Sequence, residues 1–161
     1  MSWRREDRGS ALVMTIVMAP LLVVALAGVL QLGALRVLAA RLQAAADLAA
    51  LVAVNDQDDE ELARSGVLQL TATAADVARE YFGRELALSA PFLGDDPARI
   101  AASADISAFA MAPAFDPRTG ARYDRPAVRI SAAVPVRTPA FGALLLSPVT
   151  PIPVIAVATA R

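Results

Sequence analysis

Few side chains in this sequence are able to do chemistry. The 161 residues contain no His and no Cys, which removes the commonest general base, the thiol nucleophile and the usual zinc and copper ligands together. Hydrolysis would have to run on Ser or carboxylate chemistry, and Asp105, Asp116 and Asp124 are candidates for it only by elimination. The alternative for all three is turn formation or a solvent-facing strand position. A second acidic group, NDQDDEE at residues 55–61, has oxygen ligands that would suit calcium, but it lacks the central Gly and the Glu at position twelve of an EF-type loop. It reads as a solvated turn that ends one helix and caps the next, because Asn and Asp compete with helical backbone bonds and close carboxylates repel. No catalytic residue, metal site or cofactor is assigned.

All 15 basic residues are Arg, against 16 acidic ones, and the net charge of −1 offers no basic face for nucleic acid. The missing Cys also rules out a disulfide framework, so the fold must stand on packing. With 57% hydrophobic residues and a mean hydropathy of +0.51, the chain is too apolar for an ordinary soluble domain. Some of that apolar mass belongs in lipid, and what remains is enough for one modest core.

Residues 9–35 carry no charge and are bounded by Arg8 and Arg36. As a helix this run reaches about 40 Å, against the roughly 30 Å that a bilayer core requires. Ala25-Leu26-Ala27 would suit a signal-peptide cleavage site, but the apolar run is too long for a signal peptide and continues past it. An uncleaved anchor is the better reading. Arg4, Arg5 and Arg8 precede the span while Arg36 and Arg41 follow it, which favours the N-terminus inside. Pro20 is tolerable in a membrane span, where Thr15-type hydroxyls or neighbouring helices can meet the freed carbonyl.

The helix does not end with the span. Residues 36–54 hold no Gly or Pro and are rich in Ala and Leu. Leu38, Leu42, Ala45, Ala49 and Val52 recur at helical spacing and predict a core-facing stem. Division of the chain follows: a cytoplasmic segment at 1–8, a transmembrane helix at 9–35, a stem at 36–54 and an extracytoplasmic α+β domain at 55–161.

Thr73, with Asp76 three residues later, predicts a capping-box start to a second helix that runs to about Leu86. Ala74, Val77, Ala78, Tyr81 and Phe82 form its packing face. After a loop at 89–99, period-two alternation predicts one strand from Ile100 to Ala108, with Asp105 and Ser107 on its polar face, and a second with Val128, Ile130, Ala132, Val134 and Val136 opposite Arg129, Ser131 and Arg137. Asp116-Pro117-Arg118-Thr119-Gly120 is turn chemistry between them, so the strands should be antiparallel. Thr138-Pro139 predicts a short helix near 140–146, and a last strand covers 152–160. The fold class is α+β: a long transmembrane and stem helix, with a second helix packed on a small antiparallel sheet of three or four strands.

These residues resemble a known group. Arg8-Gly9-Ser10-Ala11-Leu12-Val13, the Pro-containing span and the stretch from Arg41 to Leu51 are similar to the N-terminal region of the TadE/TadG-like proteins of the Flp (Tad) pilus assembly system. The most specific part is the stem motif L-Q-x-A-x-D-x-A-A-L, carried here by Leu42, Gln43, Ala45, Asp47, Ala49, Ala50 and Leu51. The resemblance implies a pilin-like, non-enzymatic component of a Tad-type pilus or related secretion apparatus in the bacterial inner membrane, acting as assembly factor or minor pilin. Implied partners are the secretion ATPase and membrane platform, the major pilin and sister minor pilins. It also implies a prepilin-type processing site between Gly9 and Ser10. Members that are processed carry a Glu five residues after the Gly, where this chain has Met14, and from that departure residues 1–9 are expected to stay in place. The competing reading is a membrane-tethered extracytoplasmic binding module unrelated to pili.

Overall fold

The computed structural model describes residues 6–138 and 147–161, with side chains from Val13 onward. One helix, α1 (Glu6–Val54), runs unbroken through Pro20 and the whole span into the stem. Its 49 residues correspond to about 73 Å of helix. Two environments divide it. From residue 13 to residue 34 nearly every side chain is exposed, among them Ile16, Leu22, Val29 and Leu30, as expected for a helix whose solvent is lipid. From Leu38 onward one face is buried through Leu42, Ala45, Ala46, Ala49, Ala50, Ala53 and Val54. The expected phase holds at 38, 42, 45 and 49, but Ala53 takes the core position and Val52 is only half-buried.

The acidic run resolves into a turn and the start of a short helix, α2 (Asp59–Ser65), that hydrophobic periodicity does not reveal. Asp58 caps it by accepting from the Glu61 amide, Asp59 to Glu61 stand in its first turn, and Gly66 closes it at φ 70. Carboxylates at a helix N-terminus are favoured by the dipole, which offsets their mutual repulsion. The next helix, α3 (Ala74–Ala87), lies where expected and buries Ala74, Ala78, Phe82 and Leu86. Thr73 does not cap it. Its hydroxyl donates instead to Asp56 Oδ2 at 3.2 Å, as does that of Thr71. Tyr81 and Phe82 divide: Phe82 is fully buried, while Tyr81 is half-exposed beneath the Arg84 guanidinium at 5.4 Å.

The strand expected from Ile100 is a correction. Residues Pro97–Ser103 form helix α4, with Asp96 as N-cap and Pro97 at its first position. Only Asp105–Phe109 is strand, β1. The phase expected there holds, with Ile106 and Ala108 packed against the core. Strands β2 (Ala114–Phe115) and β3 (Arg122–Tyr123) make a small hairpin around the Asp116–Gly120 turn. Strands β4 (Ala127–Arg137) and β5 (Val149–Thr159) are long, and β4 lies between β1 and β5 in an antiparallel sheet. The short helix expected near 140–146 lies outside the described residues.

One face of this sheet carries Val128, Ile130, Val134 and Val136 from β4 and Val154 and Ala156 from β5, all buried in one cluster with α1 and α3. Alanine dominates the α1 contribution, and small side chains let neighbouring elements approach closely. Enlarging one of them should be costly. Ala49→Leu is expected to lower stability by about 1–3 kcal/mol through overpacking, while Leu48→Ala, at an exposed position, should change it by less than about 0.5 kcal/mol. Denaturant titration of the detergent-solubilised protein checks this, and equal effects at the two positions would contradict the assigned core face.

Candidate functional site

The implied processing residues Gly9 and Ser10 fall inside α1, where their backbone is helical. Met14 follows on the same helix, and its apolar side chain is 63% exposed.

The stem motif separates by chemistry. Leu42, Ala45, Ala49 and Ala50 belong to the core, and Leu51 is exposed. Gln43 and Asp47 act together on the sheet. The Gln43 amide donates through Nε2 to the Ile155 carbonyl at 2.7 Å and accepts the Ile155 N–H through Oε1 at 3.4 Å. Both backbone groups of Ile155 point away from β4, so Gln43 satisfies one residue of the outer edge of β5 as a neighbouring strand would. Asp47 Oδ1 accepts the Gln43 Nε2 at 3.0 Å and orients the amide. Pro151 and Pro153 share that edge by their spacing from Ile155 and have no N–H to offer. A helix laid along the edge, a side-chain clamp and two prolines protect β5 from pairing with another strand.

The acidic candidates from the sequence also resolve. Asp105 and Asp116 meet at Arg129, while Asp124 is exposed and stands apart from them. Arg129 is 3% exposed on the sheet face opposite the core. Its Nη2 donates to Asp105 Oδ2 at 2.8 Å and to Ser107 Oγ at 3.2 Å. Its Nε lies 2.9 Å from Asp116 Oδ2 but outside hydrogen-bonding geometry, so that contact is ionic. Arg118, on the turn, also pairs with Asp105. Asp116 is itself buried, and its carboxylate accepts from the Arg118 amide at 2.9 Å and the Thr119 hydroxyl at 2.7 Å. Gly120 lets the turn close at φ 72, where its N–H reaches the Asp116 carbonyl. Tyr123 stacks on Phe109 at 5.0 Å and completes the seating of the hairpin on the sheet.

Asp116 forms the turn expected of it and Arg129 lies on the expected face opposite the core, but Asp105 is not the solvent-facing strand position expected, since it is half-buried against a buried Arg129. The signal missed is long-range pairing, which alternation along a single strand does not encode. The hydrogen bond from Arg129, against the opposing effect of burial, holds Asp105 below the ordinary carboxylate range. For Asp116 burial pushes upward, and the Thr119 hydroxyl, the Arg118 amide and the Arg129 charge together outweigh it. Carboxylates kept ionised and matched to cations are suited to holding a structure rather than passing a proton. In the acidic run, Asp56 and Asp58 are likewise engaged by Thr71, Thr73 and the α2 amides.

A depressed folded pKa contributes stability that is complete above the unfolded value, near pH 4, and is lost as pH falls through the folded values. The parent protein should therefore lose stability below about pH 4. Arg129→Met leaves the buried Asp116 without a cation and Asp105 with Arg118 alone, and should cost about 3 kcal/mol or more at neutral pH, with part of it regained on acidification. Denaturation midpoints across the acid range check both slopes, and a variant matching the parent in midpoint and slope would contradict the pairing.

No curated protein and no solved structure matches the chain. One family does match, over the apolar span, the stem and its clamp, and the match ends two residues after α1. Residues 9–56 match the Tad family, described as "Putative Flp pilus-assembly TadE/G-like", which bears out the resemblance over that stretch and links this part of the chain to Flp pilus assembly.

Proposed function

We propose that the protein is a non-catalytic, membrane-anchored component of a Flp-type pilus or related secretion apparatus, and that it works as an assembly factor rather than as a filament subunit. The observation that supports this best is α1 itself: one helix that is apolar and exposed through its first half, becomes the spine of a folded domain in its second, and matches the pilus-assembly family over both. In this reading residues 9–35 span the bacterial inner membrane, residues 1–8 stay in the cytoplasm, residues 36–54 are the stem, and residues 55–161 stand outside. The partners are the ATPase and platform complex, the major pilin and sister minor pilins.

Met14 supports retention in the membrane. A filament subunit packs its apolar helix against others, and a carboxylate in that setting costs several kcal/mol unless a neighbour's terminal amine pairs with it. Met14 carries no such cost and makes no such pair, so neither maturation after Gly9 nor docking into a filament is favoured.

Native protein purified from membranes should retain residues 1–9, and deletion of its gene should abolish surface pili. Intact-mass measurement decides the first point. An N-terminus at Ser10 in protein recovered from sheared filaments would make the protein a minor pilin, and normal piliation in the deletion strain would remove the pilus role altogether.

A further inference from the structure

A cleft of about 420 Å³ opens between α1 and the domain at the level where the apolar run of α1 ends. Its α1 wall runs from Gln31 to Arg41, about 15 Å of helix axis. That stretch crosses from the last lipid-facing turn to the second arginine after the span, the depth at which hydrocarbon gives way to headgroups. The opposite wall is Phe92, Val136 and Arg137.

The rim that carries Phe92 is fixed in place. Leu93 bridges to Val136, the Gly94 N–H donates to the Pro135 carbonyl at 2.8 Å, and a Cβ at Gly94 would stand 2.9 Å from Val149 Cγ1. A side chain at Gly94 would have to push the Val149 side chain aside. Phe92 is nevertheless 52% exposed, which leaves its ring open to a contact from outside the protein.

The balance of charge inside this cleft is one-sided. Arg64, Arg79, Arg84, Arg99, Arg118 and Arg129 each pair with a carboxylate. Arg36, Arg41, Arg122, Arg125, Arg137 and Arg161 form no ion pair among the described residues, but Arg125 and Arg161 line clefts that also hold Asp124 or Asp47, whereas no acidic residue lines the one that Arg41 and Arg137 share. Two unneutralised cations above an apolar floor suit an amphiphile with an anionic head.

We propose that this cleft binds one anionic phospholipid of the leaflet beside the domain, with its phosphate between Arg41 and Arg137 and its acyl chains along Leu35, Leu38 and Phe92. The lipid fixes the domain against the membrane surface and so sets the direction in which the sheet faces. The inference rests on the anchor reading of residues 9–35 but not on any pilus role.

The test uses full-length protein with the single tryptophan removed and a new one placed on the rim (Trp3→Phe, Phe92→Trp), in vesicles of equal parts phosphatidylcholine and phosphatidylglycerol. One lipid at a time carries bromine on its acyl chains as a fluorescence quencher. Brominated phosphatidylglycerol is expected to quench at concentrations on the order of tenfold lower than brominated phosphatidylcholine, and Arg41→Gln or Arg137→Gln should each remove about fivefold of that preference. Lysine at either position should restore most of it. Equal quenching by the two lipids would overturn the anionic site. Quenching by aqueous acrylamide and by neither lipid would show that the rim stands clear of the bilayer. Protein that fails to float with the vesicles would defeat the anchor reading and this proposal with it, and flotation separates that failure from the other two.

Discussion

The structure depends on one helix that has to satisfy two solvents. Over its first half α1 presents apolar side chains on every side, and over its second half the same backbone offers a single buried stripe to a sheet and a helix. In lipid a continuous helix satisfies its backbone without help. Beyond the span, α1 is stabilised by the packing of an amphipathic face. No Gly or Pro interrupts the junction at residues 36–54, so the anchor and the domain core are mechanically one element.

The remaining features follow from placing that helix along the edge of a small sheet. An edge strand is exposed to chance pairing, and here the stem motif meets the hazard directly: Gln43 bonds both backbone groups of Ile155, with Asp47 holding the amide. The motif residues that look polar and unplaced on a helix are thus the ones that join helix to sheet. On the opposite face of the sheet, the Arg129 cluster ties the β2–β3 hairpin to β1 and β4 through carboxylates that are matched charge for charge. Both devices consume polar groups in structure.

Much of this is legible in the sequence wherever a period carries strong side chains. Leu38, Leu42 and the later alanines announce the stem, and Val128, Ile130, Val134 and Val136 announce β4. Legibility fails where alanine carries the pattern. Ile100, Ala102 and Ala104 alternate like a strand, yet Asp96 and Pro97 begin a helix there that buries Ile100 together with Ala101, so the alternation gains little that the capped helix does not also supply. The acidic run hides α2 because repulsion among its carboxylates is evident from spacing, whereas the dipole that favours them at a helix start is not. Thr73 is drawn from capping by Asp56, 17 residues away. Gln43 and Ile155 are 112 residues apart, and Arg129 lies 24 from Asp105, so these contacts exist only once the chain has folded.

The central claim is that the stem half of α1 is part of the cooperative core and not a tether that merely carries it. Hydrogen exchange on full-length protein in bilayer discs tests this most directly, since residues of one cooperative unit lose protection together. Amides of residues 42–54 should be protected as strongly as those of β4 and should exchange only on global unfolding. Exchange of residues 42–54 well before β4 and β5 would show that the domain folds without its stem, and would contradict the claim that anchor and core are one element.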